Sequence, residues 1–463
     1  MDIEIAKTVL KPDANKRIGN VIKTRDDRDL VVFSQNGELV EGCVCPWIKE
    51  QDEHGILIKL PEDNTILRER IEPWLTALFQ SEHLNLLCGS GLTNAISLKA
   101  GSNGGANMGK CDFSVFRNEI ETSARSKAKK AGRDEGNIED QIRTAIELLR
   151  GLEIQNSPEA VKLQQDLNKV IEAFSQSILQ TEKGIATSER AKRDEAFDVL
   201  INFLLSFASR TGNRERLNIF TTNYDRLIEL GAELAGIHLI DRFVGSLMPI
   251  FRSSRLNLDL HYNPPGIRGE PRYLEGVVKM TKLHGSVDWL NNEDEIRRIG
   301  LPFGAESITP FLQAPGLHEL DYLKLMIYPN PDKDRETAEY PYVELFRDLA
   351  AAICRPNNTL VTYGYGFGDE HINRVIKDML TIPSTHLVII SYNDPIGRIL
   401  DFYDKVGRKA QITVLIGPRF GDITSLTNDF LPKSAIDRNT FRLGELLQKR
   451  IGTSTNKKIA EDE

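Results

Sequence analysis

The residues whose types could do chemistry centre on Thr221-Thr222-Asn223-Tyr224-Asp225, which closes the apolar segment Leu217-Asn218-Ile219-Phe220. A short buried strand ending in small polar side chains is how an open α/β sheet presents a site, because ligands sit in the crevice beyond the carboxyl ends of its strands. Three further stretches follow apolar runs in the same manner: Leu87-Cys88-Gly89-Ser90-Gly91-Leu92-Thr93, Lys282-Leu283-His284-Gly285-Ser286 and Tyr363-Gly364-Tyr365-Gly366-Phe367-Gly368-Asp369. A glycine turn after a strand lets backbone amides approach a pyrophosphate. A histidine just past a strand end stands where α/β proteins keep catalytic groups. Singly, each signal is ordinary. Asn94 fills the slot of the third glycine in G-x-G-x-x-G, and a lone histidine commonly only packs. Four in the order that a nucleotide-binding sheet needs are informative.

The elements that must position these residues are legible from periodicity. Leu84–Leu87, Leu217–Thr222, Val277–Leu283, Thr359–Tyr363, Leu387–Ser391 and Ile412–Ile416 read as strands, and Arg226–Ala235 and His371–Leu380 as helices behind them. Residues 1–64 read as an appended small β unit, with Ile18–Ile22, Leu30–Phe33, Leu39–Val44 and Ile56–Leu60 as strands and Asn36-Gly37 as a hairpin signal. The expected main domain runs over 65–115 and resumes over 211–450. Between them, 116–210 is predicted as an inserted helical domain, since Ile138, Ile142, Ile146 and Leu149 recur at helical spacing, as do Leu163, Leu167, Ile171, Phe174 and Ile178. Residues 241–275 and 291–340 read as irregular excursions, and 451–463 as a disordered tail.

Composition narrows the function class. Of 463 residues, 40% are hydrophobic and the net charge is −8, which argues against a polyphosphate-binding surface, so no direct nucleic-acid binding is expected. No apolar run approaches the roughly 20 residues that span a bilayer, and no signal peptide is read, so a cytoplasmic, membrane-free protein is expected. Five dispersed cysteines suit a reducing compartment, and the one close pair, Cys43 and Cys45, lacks a matching second pair, so no metal site and no structural zinc are expected.

With these segments placed, the sequence resembles the sirtuin family, and more closely its bacterial branch of sirtuin-like NAD-hydrolysing effectors. Gly89-Ser90-Gly91-Leu92-Thr93 matches the family's opening glycine loop, and Thr221-Thr222-Asn223-Tyr224-Asp225 its Thr-Gln-Asn-Ile-Asp box. His284-Gly285 matches its His-Gly pair, and Gly364–Asp369 its second glycine segment; Asp112-Phe113 echoes a Pro-Asp-Phe-Arg loop without the Pro and Arg. The resemblance implies a Rossmann-like, mostly parallel α/β sheet of sirtuin type and NAD as substrate. It implies catalytic roles for Asn223 (ribose or water), His284 (general base) and Asp225 (charge stabilisation or support of Asn223). Gly89, Ser90, Gly91, Thr93 and Thr222 would hold the nucleotide near its diphosphate, and Gly364, Gly366 and Asn393 near its adenosine.

Departures from the family shape the functional expectation. The zinc-binding Cys₄ module that follows His-Gly in sirtuin deacylases is missing, since Cys354 is the one cysteine beyond that point. The resemblance then implies a NAD glycohydrolase that depletes NAD in antiphage defence, working as a homo-oligomer or beside a HerA-like ATPase or another defence protein such as a short Argonaute. A non-catalytic NAD or ADP-ribose sensor and a protein deacylase are the alternatives.

Overall fold

The computed structural model describes residues 3–25, 27–45, 47, 59–60, 63–105, 109–130, 135–209, 215–262, 272–292, 295–313, 317, 322–325 and 340–433. The expected tail and residues 56–58 of the expected strand Ile56–Leu60 lie outside them. Nine strands form one sheet: β1 (Asn20–Lys23), β2 (Val31–Phe33), β3 (His83–Cys88), β4 (Leu217–Thr221), β5 (His238–Ile240), β6 (Val277–Lys282), β7 (Asn358–Tyr363), β8 (His386–Ser391) and β9 (Ile412–Ile416). Their order is β2-β1-β9-β8-β7-β3-β4-β6-β5. All strands from β9 to β5 run parallel, while β1 and β2 join antiparallel at the β9 edge. The fold is therefore the expected Rossmann-like, mostly parallel α/β sheet. After β3 the chain moves outward through β4 and β6, then crosses back to β7, so the topological switch lies between β3 and β7.

Strand periodicity of two explains how both faces become buried. In β3, Leu84, Leu86 and Cys88 face one core and Leu87 the other; in β8, Val388 and Ile390 divide from Leu387 and Ile389 in the same way. The first face is covered by α2 (Thr65–Phe79), α3 (Ser90–Lys99), α7 (Arg190–Ala208) and α8 (Leu227–Leu234). The second is covered by α1 (Ile3–Val9), α9 (Tyr342–Ile353), α10 (Glu370–Leu380) and α11 (Arg398–Val406).

The region between β3 and β4 is helical as expected, but it divides. Helices α4 (Arg117–Lys130), α5 (Ile138–Ile154) and α6 (Glu159–Ala186) build a third core, in which Leu163, Leu167, Ile171, Phe174 and Ile178 form the buried stripe of α6. Helix α7, expected within the insert, instead buries Leu200, Phe203, Leu204 and Phe207 against the sheet. The insert's core also takes Val287, Leu290, Ile299 and Leu301 from the segment after His284. That segment is more regular than expected. Trp289–Asn292 and Glu295–Arg298 form an antiparallel hairpin within a four-stranded sheet that includes Ile250–Phe251 and Phe243–Val244.

The N-terminal segment, expected as a small β unit, joins the main sheet through β1 and β2, because Val21, Ile22 and Lys23 pair with Ile416, Leu415 and Val414 of β9. The expected strand Leu39–Val44 is reduced to an isolated bridge between Phe33 and Leu39. Among the described residues, no helix is long and apolar enough to cross a membrane.

A row of amides crosses the centre of the sheet. Asn218 Nδ2 on β4 donates to Asn85 Oδ1 on β3 at 2.9 Å, and Asn85 Nδ2 donates to Asn358 Oδ1 on β7. These bonds tie the three strands nearest the switch and penalise register slips, which would leave buried amides unmatched. Asn85→Ala is expected to lower unfolding stability by about 1–3 kcal/mol by orphaning both neighbours. Denaturant titration measures this; a midpoint equal to the parent's would show that the row contributes nothing.

Candidate active site

A cavity of about 440 Å³ opens at the carboxyl ends of β3, β4, β6 and β7, within the roughly 300–1,000 Å³ of small-molecule sites. Gly89, Ser90, Thr93, Thr222, Asn223, Asp225, His284 and Gly366 all line it, so these residues, expected from four separate stretches, meet in one place. Each arrives for a local reason. Gly89 ends β3 and caps α3, which starts at Ser90. The Asn-bearing loop leaves β4, and His284 leaves β6 through a turn at Gly285, whose φ is +86°.

Asn223 is buried and held on one side. Its Nδ2 donates to the carbonyl of Gly89 and to Thr93 Oγ1, both at 3.0 Å, while its backbone N–H donates to Thr221 Oγ1. Among the described residues its Oδ1 has no hydrogen-bond partner, which leaves a neutral acceptor at the cavity wall. The Thr93 hydroxyl, expected to serve a phosphate, donates to Asp225 Oδ2 at 2.6 Å and so joins Asn223 to Asp225. The other oxygen of Asp225 accepts from Leu227 N–H in the first turn of α8.

The structure does not bring Gly91, Gly364 or Asn393 into the wall. Gly91 N–H donates to Gly364 O at 3.1 Å, and a Cβ on Gly91 would lie 2.5 Å from Gly364 Cα. These two glycines permit backbone contact between strand ends. Asn393 sits in the turn after β8, where its carbonyl accepts from Ser391 Oγ at 2.8 Å. Asn94, in the slot of the missing third glycine, accepts from Gly105 N–H through Oδ1 and folds the following loop over the cavity rim.

Three groups were not singled out from the sequence. Asp369 accepts from His371 and Ile372 N–H through Oδ1 as the N-cap of α10, and its Oδ2 lies 2.8 Å from His284 Nε2. A helix N-terminus favours that carboxylate, and the carboxylate, an acceptor, assigns the proton to Nε2 and leaves Nδ1 as the basic nitrogen of the neutral ring. The signal was an N-cap aspartate closing the glycine segment. Arg398 lines the cavity at the start of α11, and a Cβ on Gly368 would lie 2.3 Å from its Nη1. A cation in the first turn of a helix opposes the macrodipole, which was its only sequence signal. Glu139 enters from the first turn of α5, where Asn137 and Asp140 form a reciprocal capping box. The Asn-x-x-Asp spacing marks the helix start but not what it faces.

Beneath the cavity, polar pins fix the loops. Lys282 is buried and its Nζ donates to the carbonyl of Asp225 and, at 2.9 Å, to Glu229 Oε1. Arg226 and Glu182 form a buried ion pair between the Asn-bearing loop and α6, and Glu182 Oε1 also accepts the Arg226 N–H at 2.8 Å.

Residues 217–409 match the SIR2-like domain family. The matched span carries Asn223, Asp225, His284 and Asp369 and supports a sirtuin-like, NAD-utilising family; it does not include β3 or its glycine turn. No curated protein matches the chain.

Burial raises the carboxyls of Glu139, Glu182 and Glu229 above the usual range, against the opposing pull of His284, Arg226 and Lys282 respectively. A raised folded value means that stability falls as pH climbs from the free value of 4.5 through the folded one, where the native state must ionise at a cost. Below both values the acid is neutral in both states. Glu139→Gln is therefore expected to melt with the parent below the free value of 4.5 and increasingly above it as pH rises past that value. Calorimetry across that range checks the sign; a constant difference between the two would refute it.

Proposed function

We propose that this chain is a NAD glycohydrolase that cleaves the nicotinamide–ribose bond to give nicotinamide and ADP-ribose. The observation that carries the reading is the convergence of an amide, an imidazole backed by a carboxylate, and a second carboxylate on one cavity beside a glycine turn. Cleavage leaves an oxocarbenium-like centre at the sugar carbon, and the bonding pair departs with the pyridine nitrogen, which becomes neutral. Water then bonds to that carbon and loses a proton. Asn223 Oδ1 would accept from a ribose hydroxyl or from this water without placing a charge beside the cation. His284 would take the proton at Nδ1, with Asp369 orienting the ring and stabilising the imidazolium. Asp225 supplies negative charge toward the developing cation while supporting Asn223 through Thr93. Ser90 and the Gly89 turn would face the diphosphate, and Arg398 supplies the positive charge that such a group requires.

The same reading makes the chain a NAD-depleting effector of bacterial antiphage defence, assembled as a homo-oligomer or with a partner such as a HerA-like ATPase. Its support is the helical insert together with the missing Cys₄ module.

His284→Ala is expected to lower kcat by about 10²–10⁴-fold while NAD binding changes little. Chromatography of nicotinamide, with calorimetric binding of NAD alongside, measures both. A parent that binds NAD without releasing nicotinamide would be a sensor, and an unimpaired His284→Ala would remove the imidazole from the mechanism. For the cellular role, NAD content is followed after phage challenge. A constant level in expressing cells sinks it.

A further inference from the structure

Tyr224 stands between Asn223 and Asp225 and lines the cavity with them, while its ring also packs on the helical insert. It is buried in the insert's core, edge-on to Phe174 with centroids 5.7 Å apart. Its hydroxyl donates to Glu139 Oε1 at 3.1 Å. Its carbonyl accepts from Ser286 Oγ at 3.2 Å and Val287 N–H at 3.0 Å, both in the turn that carries His284, whose ring centroid lies 6.4 Å from the tyrosine ring. One residue thus bonds the insert at its side chain and the histidine turn at its main chain, and it lines the cavity together with its neighbours Asn223 and Asp225.

Glu139 is held for this contact. The capping box of Asn137 and Asp140 locks the first turn of α5, at 2.9 and 3.0 Å, and Glu139 lies within that turn against the same cavity. Asp140 is occupied by the cap, which leaves Glu139 as the acid that the turn directs at Tyr224.

We propose that Glu139 is a positioning residue for this site, acting through the Tyr224 hydroxyl, so that the helical insert is a working part of the catalytic apparatus. The bond fixes the backbone between Asn223 and Asp225 and, through the Tyr224 carbonyl, its spacing from His284. Small errors in such spacing are costly, since misplacement of a reacting group by an ångström reduces rates by about 10²-fold. Arg226 and Glu182 tie the same loop to α6 independently, so loss of the hydroxyl loosens the loop without releasing it.

The proposal rests on the NAD-hydrolysis reading for its kinetic arm and on hydrogen exchange for an arm that needs no turnover. Tyr224→Phe keeps the ring and removes one hydroxyl. It and Glu139→Ala are each expected to lower kcat by about tenfold, with KM and ADP-ribose affinity within about twofold of the parent. Glu139→Gln keeps an acceptor for the hydroxyl and is expected to lose less than Glu139→Ala. Exchange of the amides at 223–226 is expected to quicken in Tyr224→Phe at equal melting temperature. Unchanged exchange overturns the proposal even if the parent proves inactive, in which case the hydrolysis reading fails separately. With an active parent, a raised KM at constant kcat would also overturn it, because Glu139 would then hold the ligand itself.

Discussion

Two ends of the sheet touch backbone to backbone, and the site exists because of that contact. Gly89 N–H donates to Tyr363 O at 3.0 Å and Gly91 N–H to Gly364 O at 3.1 Å, so the first turns after β3 and β7 meet with no side chain between them. A Cβ on Gly89 would lie 2.5 Å from Gly364 O, closer than packed atoms come, and on Gly364 the same distance from Gly91 Cα. Any larger residue would force the strand ends apart at the point where the strand order reverses. That reversal opens the crevice, because chain leaving β3 and chain leaving β7 turn to opposite sides. Gly91 and Gly364 therefore shape the site from behind its wall, and Gly89 from within it.

From this junction the functional groups follow by short chains of hydrogen bonds. Gly89 O holds the Asn223 amide, Thr93 joins that amide to Asp225, and Asp369, six residues past β7 at the close of the glycine segment, reaches His284. None of these bonds is long-lived because it is strong alone, as a typical one contributes only about 0.5–1.5 kcal/mol. Their effect is geometric, since each group has its remaining valences occupied on the side away from the cavity.

The loop from Asn223 to Arg226 serves both the cavity and the insert. Asn223, Tyr224 and Asp225 line the cavity, and Tyr224 and Arg226 bond to α5 and α6. Desolvation offsets much of the Coulomb attraction in a buried pair such as Arg226–Glu182, so its main consequence is to define one arrangement of the loop against the insert. The insert in turn packs on the segment that follows His284, through Val287 and Leu290. Both chemical loops are thus braced by the helical insert.

What the sequence determined by itself was local. Burial of β3, β4, β6, β7 and β8, the polar or glycine residues at their ends and the stripes of α5 and α6 are properties of consecutive residues, and periods of two and 3.6 expose them. Gly91, Gly364 and Asn393 show the limit of that reading, because a glycine that lines a ligand and one that admits another backbone leave the same mark in the chain. Tertiary structure alone decided which side of each loop faces the cavity, that the N-cap of α10 reaches His284, that the first turn of α5 delivers Glu139, and that β1 and β2 extend the main sheet. Those contacts join residues as distant as Val21 and Ile416, and they depend on strand register and helix packing, which no run of neighbouring residues encodes.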